Sequence, residues 1–188
     1  MDPKAVKRHA YYWWKVYTPQ QIKDINKHIN KHLIKAKDNP ASNVLKTSTV
    51  RMIPYRHIEV ILKEFFNKSL YTNFLNWGYH LYPLLDGEYL NYNTYSAGKK
   101  SEYGWHLDGI PEKNAVSDIK LTCLLNLSEK DYQGGDLYIN MGGGKTLIKE
   151  LTPGNMVIFS SFLCHKVTPV TKGTRNTLTL WLTGPKLV

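Results

Sequence analysis

Tyr103-Gly104-Trp105-His106-Leu107-Asp108 is the stretch on which the reading of this chain turns. It is short and aromatic, and it reads as a strand. Side chains two apart on a strand share a face, so His106 and Asp108 project together. The residues around it carry the same signature. From about residue 74 onward, short runs of Tyr, Leu, Val, Ile and Thr are punctuated by Gly, Asn and Pro. The runs fall at 74–82, 89–95, 103–107, 118–127, 136–140, 145–151, 155–160, 165–170 and 175–183, with Gly142-Gly143-Gly144 as a hairpin loop. So many strands in succession form two facing sheets, and a jelly roll closes them better than an open meander.

Upstream the period is helical. Thr18-Pro19-Gln20-Gln21 is a helix start, with Thr as N-cap, Pro in the first turn and Gln at the third position. Ile22, Ile25, Ile29 and Leu33 follow on one face, and Lys23, Lys27, Lys31 and Lys35 on another, until Asn39-Pro40 closes the unit. The segment 41–54 reads as loop or an edge strand ending at Pro54. A second helix is predicted from Arg56 to Leu70, with Ile58, Ile61, Leu62, Phe65 and Phe66 facing inward. The expected fold is mainly β with N-terminal helices: a double-stranded β-helix, or jelly roll, backed by two or more α-helices. The 188 residues read as a single domain 1–188, in which 1–70 is a helical support region and about 74–183 the jelly-roll core.

Composition narrows the function classes. No apolar run approaches membrane-span length, and the N-terminus lacks an apolar signal core, so a soluble, intracellular, cytoplasmic protein is expected. Its aromatic cluster Tyr11-Tyr12-Trp13-Trp14 is expected to pack against the body. Two cysteines, Cys123 and Cys164, do not make a disulfide framework. The net charge of +10 is concentrated early: residues 1–70 hold 14 Lys/Arg against 5 Asp/Glu, and residues 71–188 hold 11 against 10. Such a basic third could attract nucleic acid or an acidic protein, but lysines at helix-surface spacing fit a solvated face better. The sequence leaves the oligomeric state open.

About sixty residues after His106 stands Cys164-His165-Lys166-Val167-Thr168-Pro169-Val170, and Arg175 follows. If His165 arrives from a facing strand, two imidazoles and one carboxylate meet and leave coordination positions open, which suits Fe(II). His-x-Asp alone is a weak signal; the ordered set of His106, Asp108, His165 and Arg175 is the argument. Arg175 opens an apolar strand, where a cation is costly unless an anion meets it. Its planar fork grips a carboxylate through two hydrogen bonds, and a dicarboxylate co-substrate would satisfy it. Cys164 neighbours His165 but points to the opposite face, as a buried structural thiol.

These segments resemble the Fe(II)/2-oxoglutarate dioxygenases of the prolyl 4-hydroxylase-like branch, close to the bacterial PKHD-type hydroxylases. Four stretches carry the likeness, over roughly residues 89–183: Tyr95-Ser96-Ala97-Gly98 with Tyr103 to Asp108; Asp131-Tyr132-Gln133-Gly134-Gly135-Asp136-Leu137; Gly154 to Phe159; and His165 to Arg175. The resemblance implies Fe(II) held by His106, Asp108 and His165, and 2-oxoglutarate whose distal carboxylate meets Arg175. Tyr95 occupies the place of a family tyrosine that helps hold the co-substrate. Because its link to His106 is about two residues longer than the family pattern, Tyr92 and Tyr103 stand as alternatives. The implied reaction hydroxylates an unactivated C–H bond with O2 and releases succinate and CO2, with ascorbate as a candidate reductant. The substrate implied is a prolyl or other side chain of a protein or peptide, with a free amino acid or small molecule as an alternative. Oxidative demethylation of nucleic acid is not favoured, because Arg175-Asn176-Thr177-Leu178-Thr179 lacks the second arginine of that family's run. A non-catalytic jelly-roll binding module is the remaining reading.

Overall fold

The computed structural model describes residues 9–35, 45–110 and 115–186. Among the described residues, thirteen strands and two α-helices follow one another in the order β1 (Tyr11–Lys15), α1 (Pro19–Ile29), β2 (Ile34–Lys35), β3 (Thr49–Pro54), α2 (Lys63–Thr72), β4 (Tyr89–Ser96), β5 (Tyr103–His106), β6 (Asp118–Asn126), β7 (Gln133–Gly134), β8 (Leu137–Asn140), β9 (Lys145–Leu147), β10 (Asn155–Ser160), β11 (His165–Val167), β12 (Val170–Lys172) and β13 (Thr174–Gly184). A seven-stranded major sheet runs β1-β10-β6-β13-β4-β3-β2; a four-stranded minor sheet runs β5-β11-β8-β9; β12 and β7 form a short third pair. The pairings are antiparallel, as a jelly roll requires.

Strict alternation along the major sheet makes two cores. Leu121, Cys123 and Leu125 of β6, Leu178, Leu180 and Leu182 of β13, and Leu90 and Tyr92 of β4 face the helices. The helices answer with Ile22, Ile25 and Ile29 from α1, and Leu62, Phe65 and Phe66 at α2. On the other face Leu124, Val157, Phe159 and Tyr95 meet Leu137, Ile139 and Val167 of the minor sheet. Arg175, Thr177, Thr179 and Trp181, one residue out of phase with the leucines of β13, point to this second side and line a cavity there.

The capping box at Thr18 and Gln21 forms as expected. The helix it starts ends at Asn30, well short of the expected closure at Asn39-Pro40, which lies outside the described residues. Only Lys23 and Lys27 of the expected lysine stripe lie on it, Lys31 follows it and Lys35 belongs to β2; all four are exposed. The second helix starts later than expected, after a 3₁₀ turn at Tyr55–His57. It has no side-chain cap of its own; the Tyr17 hydroxyl accepts from the Phe65 N–H at 3.2 Å. Thr49–Pro54 is a strand between β4 and β2.

Two expectations need correction and a third is extended. The run 74–82 is no strand: Asn73–Trp77 forms a π turn, and Asn73 bonds the Tyr79 backbone through both ends of its amide, which folds the chain back past Gly78 in the left-handed region. The run 165–170 is two strands in different sheets, because Pro169 cannot donate to a ladder. The cluster Tyr11 to Trp14 does more than pack: it pairs with β10 as the edge of the major sheet, and Trp14 Nε1 donates to Thr72 Oγ1 at 2.9 Å. Among the described residues no helix is long and apolar enough to cross a membrane.

Candidate active site

Register brings the distant histidines together. His106 of β5 lies opposite His165 of β11, with ring centroids 4.0 Å apart. Asp108 follows in a bend just past β5. That bend is held against the major sheet by the Gly109 N–H donating to the Ser161 carbonyl at 2.9 Å. A Cβ at Gly109 would lie 2.8 Å from the Ile119 carbonyl oxygen, so only glycine lets the bend approach this closely. One potential ligand atom from each of His106, Asp108 and His165 falls within 4.8 Å of the others.

Hydrogen bonds fix how the ligand atoms present themselves. His106 Nδ1 contacts the Gly104 carbonyl at 2.8 Å, and His165 Nδ1 contacts the Leu163 carbonyl at 2.9 Å. A carbonyl only accepts, so both Nδ1 atoms carry hydrogen and both Nε2 lone pairs turn inward. Each Nε2 lies 3.5 Å from a different Asp108 oxygen. Asp108 is set by Thr122, whose Oγ1 donates to Oδ2 at 2.8 Å and lies 3.2 Å from Ser161 Oγ. Burial pushes the Asp108 carboxyl up, but His106, His165, Thr122 and the Trp181 indole outweigh it and hold it at about 2. Burial is also the largest influence on His165; with His106 it outweighs the opposing Asp108 and Leu163 carbonyl and lowers the ring to about 4. At neutral pH an anionic oxygen therefore converges with the neutral His165 nitrogen and the inward-facing Nε2 of His106. That convergence calls for a cation, and the N,N,O donor set with room beside it fits Fe(II).

Two expected outcomes follow. Thr122→Val keeps the shape and removes the bond to Asp108. It should weaken divalent-metal binding by about 10- to 100-fold, read by isothermal titration of the metal-free protein with Fe(II) under anaerobic conditions. An unchanged affinity would show that Asp108 needs no such support. The second concerns pH. His165 is lowered from 6.5 to about 4, so the unfolded chain takes up a proton in that window that the folded chain refuses. Stability of the metal-free protein is thus complete above pH 6.5 and declines as pH falls towards 4. Unfolding by urea should require about 2–3 kcal/mol less at pH 4.5 than at pH 7. This loss should be absent in His165→Asn; an equal loss in the variant would place the proton elsewhere.

Arg175 occupies the same cavity. It is 2% exposed, its Nε has no hydrogen-bond partner, and among the described residues no carboxylate forms an ion pair with it. Its guanidinium lies 5.1 Å from the centre of the Tyr95 ring, directly across the β4–β13 register. Burial pushes the Tyr95 hydroxyl up and the neighbouring guanidinium pulls it back. Gly135, at φ 67°, floors this position: a Cβ there would come within 2.7 Å of Arg175 Cδ. A buried, underbonded guanidinium beside a phenol fits an anionic co-substrate end.

Of the three candidate tyrosines, Tyr95 and Tyr103 line the cavity. Tyr92 does not: three residues from Tyr95, it has the opposite parity and donates its hydroxyl to Asn26 Oδ1 at 3.1 Å. Tyr103 stacks on His106 with centroids 3.5 Å apart. Cys164 is half-buried rather than buried, and it stands outside the convergent set. Sequence reasoning missed Thr122 and Lys46. Strand parity gives Thr122 the cavity side of β6, whereas nothing local marks Lys46, whose Nζ sits 4.4 Å above the Tyr103 ring.

Comparison with known proteins agrees with this geometry. The family model described as the 2OG-Fe(II) oxygenase superfamily matches residues 90–183. A PKHD-type hydroxylase of Synechococcus sp. (strain CC9605) is 40% identical over 87 residues, covering 46% of this chain and 38% of the relative. One from Janthinobacterium sp. (strain Marseille) is 34% identical over 129 residues, covering 66% and 53%. The chain thus spans between about two-fifths and half of these curated relatives. A Pseudomonas putida prolyl-4-hydroxylase structure superposes with TM-score 0.69 at 19% identity, covering 95% of this chain and 94% of that one. A viral collagen prolyl hydroxylase from Paramecium Bursaria Chlorella virus-1, in its 2OG complex, superposes with TM-score 0.65 at 18% identity, covering 96% and 99%. With its jelly roll, its His-Asp-His cluster and a family model that spans half of its length, the chain belongs to the 2OG-Fe(II) oxygenase superfamily.

Proposed function

We propose that the chain is an Fe(II)- and 2-oxoglutarate-dependent dioxygenase that hydroxylates a C–H bond on a prolyl or other side chain of a protein or peptide. The observation that carries this reading is one cavity holding both the convergent His106, Asp108 and His165 and the unpaired guanidinium of Arg175. His106, Asp108 and His165 would hold the iron, and Arg175 with Tyr95 the distal carboxylate of 2-oxoglutarate. Bound there, iron and 2-oxoglutarate supply the oxidising power, with O2 consumed and succinate and CO2 released. The chain's own work is placement. The Gly104 and Leu163 carbonyls aim both imidazoles, Thr122 aims the carboxylate, and Arg175 sets the co-substrate's direction. Leu124 and Val167 add apolar surface to a lining that is otherwise mostly polar or aromatic. We assign catalysis to about 74–183 and support to the helices before it.

The peptide reading draws on the names of the structural neighbours, and the placement of the basic stripe weighs against nucleic acid. Lys23, Lys27, Lys31 and Lys35 lie on and just after α1, which packs on the face of the major sheet opposite the cavity. The test is anaerobic addition of Fe(II) and 2-oxoglutarate, which should give a weak visible charge-transfer band. Aerobic succinate release should then rise with substrate, screened among proline peptides, free amino acids and methylated oligonucleotides. No band and no succinate from iron-loaded protein would leave a binding module. Stimulation by methylated oligonucleotides alone would replace the peptide reading.

A further inference from the structure

A second cation in the cavity is unaccounted for. Lys46 precedes β3 in a segment bridged to Tyr103, and its side chain lines the cavity with His106, Asp108 and Arg175. Its ammonium lies on one face of the Tyr103 ring while His106 stacks against the same ring, so Lys46 stands one aromatic ring from a proposed iron ligand. Among the described residues no carboxylate lies within ion-pair distance of it. The cation–π contact compensates a half-buried ammonium only in part. Arg175 already serves the co-substrate's distal carboxylate, and the near end of that molecule belongs with the metal. Asn93, 3% exposed, also lines the cavity; its amide nitrogen donates to Thr179 Oγ1 at 3.1 Å while Oδ1 has no partner. A buried acceptor left unpaired calls for a donor from outside.

We infer that Lys46 is a specificity-determining residue that holds an anionic group, a carboxylate, on the substrate, while Asn93 Oδ1 accepts a hydrogen bond from the same molecule. This rests on the dioxygenase reading above and adds to it the charge of the substrate. The carboxylate has two sources, the free α-carboxylate of an amino acid or the side chain of an acidic residue beside the target in a peptide. A neutral prolyl peptide would leave the ammonium unmatched.

The test uses matched pairs that differ only in that charge. N-acetyl-L-proline is compared with N-acetyl-L-prolinamide for the first source, and acetyl-Asp-Pro-amide with acetyl-Asn-Pro-amide for the second. Binding to protein loaded with Zn(II) and 2-oxoglutarate, where no turnover occurs, is followed by ligand-observed NMR. The carboxylate member of one pair should bind about tenfold tighter than its neutral partner. Lys46→Met, which keeps the stem on Tyr103, should remove that preference and leave the neutral member unchanged; Lys46→Glu should reverse it. The 2-oxoglutarate affinity of Lys46→Met should stay within about twofold of the native value. Equal binding within both pairs, or no binding of any probe at millimolar concentration, overturns the inference. So does a parallel loss of 2-oxoglutarate affinity, which would assign Lys46 to the co-substrate. In each of these cases the charge-transfer band of the native protein still reports on the dioxygenase reading independently.

Discussion

Arg175→Met is expected to raise the dissociation constant for 2-oxoglutarate by about a hundredfold or more while moving iron affinity by less than about threefold. Truncating one partner of a buried, hydrogen-bonded charge pair costs about 2–5 kcal/mol. Arg175 meets the conditions for a cost within that range: it is buried, its Nε is unused, and no carboxylate among the described residues competes for it. Methionine retains most of the stem that runs over Gly135, so the loss reads the charge rather than a cavity. Iron affinity is spared because the three proposed ligands hang from β5, the bend after it and β11, and Arg175 hydrogen-bonds none of them. Arg175→Lys should fall between, since it restores the charge but not the two-pronged geometry. Without co-substrate the order inverts: Arg175→Met should unfold at higher denaturant than the native protein, because a buried charge lacking its anion is a cost. Titration of the charge-transfer band with 2-oxoglutarate, beside direct iron titration, separates the two affinities. Equal losses in both would make Arg175 a structural residue.

What the sequence disclosed, and what it hid, follows from the range of the forces involved. Local rules were readable. Thr18 and Gln21 close a capping box within four residues, and the alternation of Leu178, Leu180 and Leu182 against Thr177, Thr179 and Trp181 states which face of β13 meets the helices. The His106–Asp108 spacing was readable for the same reason. Tyr92 could have been set aside by parity alone, three residues from Tyr95. Two runs were misjudged for separate local reasons: aromatic content suggested a strand at 74–82, but the Asn73 side chain offered the backbone a better local partner, and at 165–170 Pro169 ended one ladder and let another begin. Contacts made only by register were invisible. Nothing near Lys46 announces Tyr103, and nothing near Thr122 announces Asp108, because each pairing exists only once distant strands lie side by side. The proposed ligands were thus legible as a motif, while the residues that aim them were not.

Asp108→Asn should have the largest effect of any isosteric change in the site. The amide has the carboxylate's shape and can still accept the Thr122 hydroxyl, so the bend after β5 keeps its place. What goes is the one anionic charge among the three proposed ligands. With it go the electrostatic attraction for a divalent cation and the strong oxygen donor opposite two imidazoles. Loss of a residue that only supports a ligand costs about 10- to 100-fold in metal affinity, so loss of the ligand's charge should exceed about 100-fold. The band with 2-oxoglutarate should vanish at iron concentrations that saturate the native protein, and succinate release with it. The fold should survive, as near-unchanged circular dichroism would show. A double-mutant cycle makes the claim sharper. Thr122 is argued to act through Asp108 alone, so Thr122→Val should weaken metal binding strongly in the native background and hardly at all beside Asp108→Asn. Additive losses would mean that Thr122 reaches the metal by another route, through Ser161 or the packing of β6, and that the carboxylate is not the hinge on which the site is built.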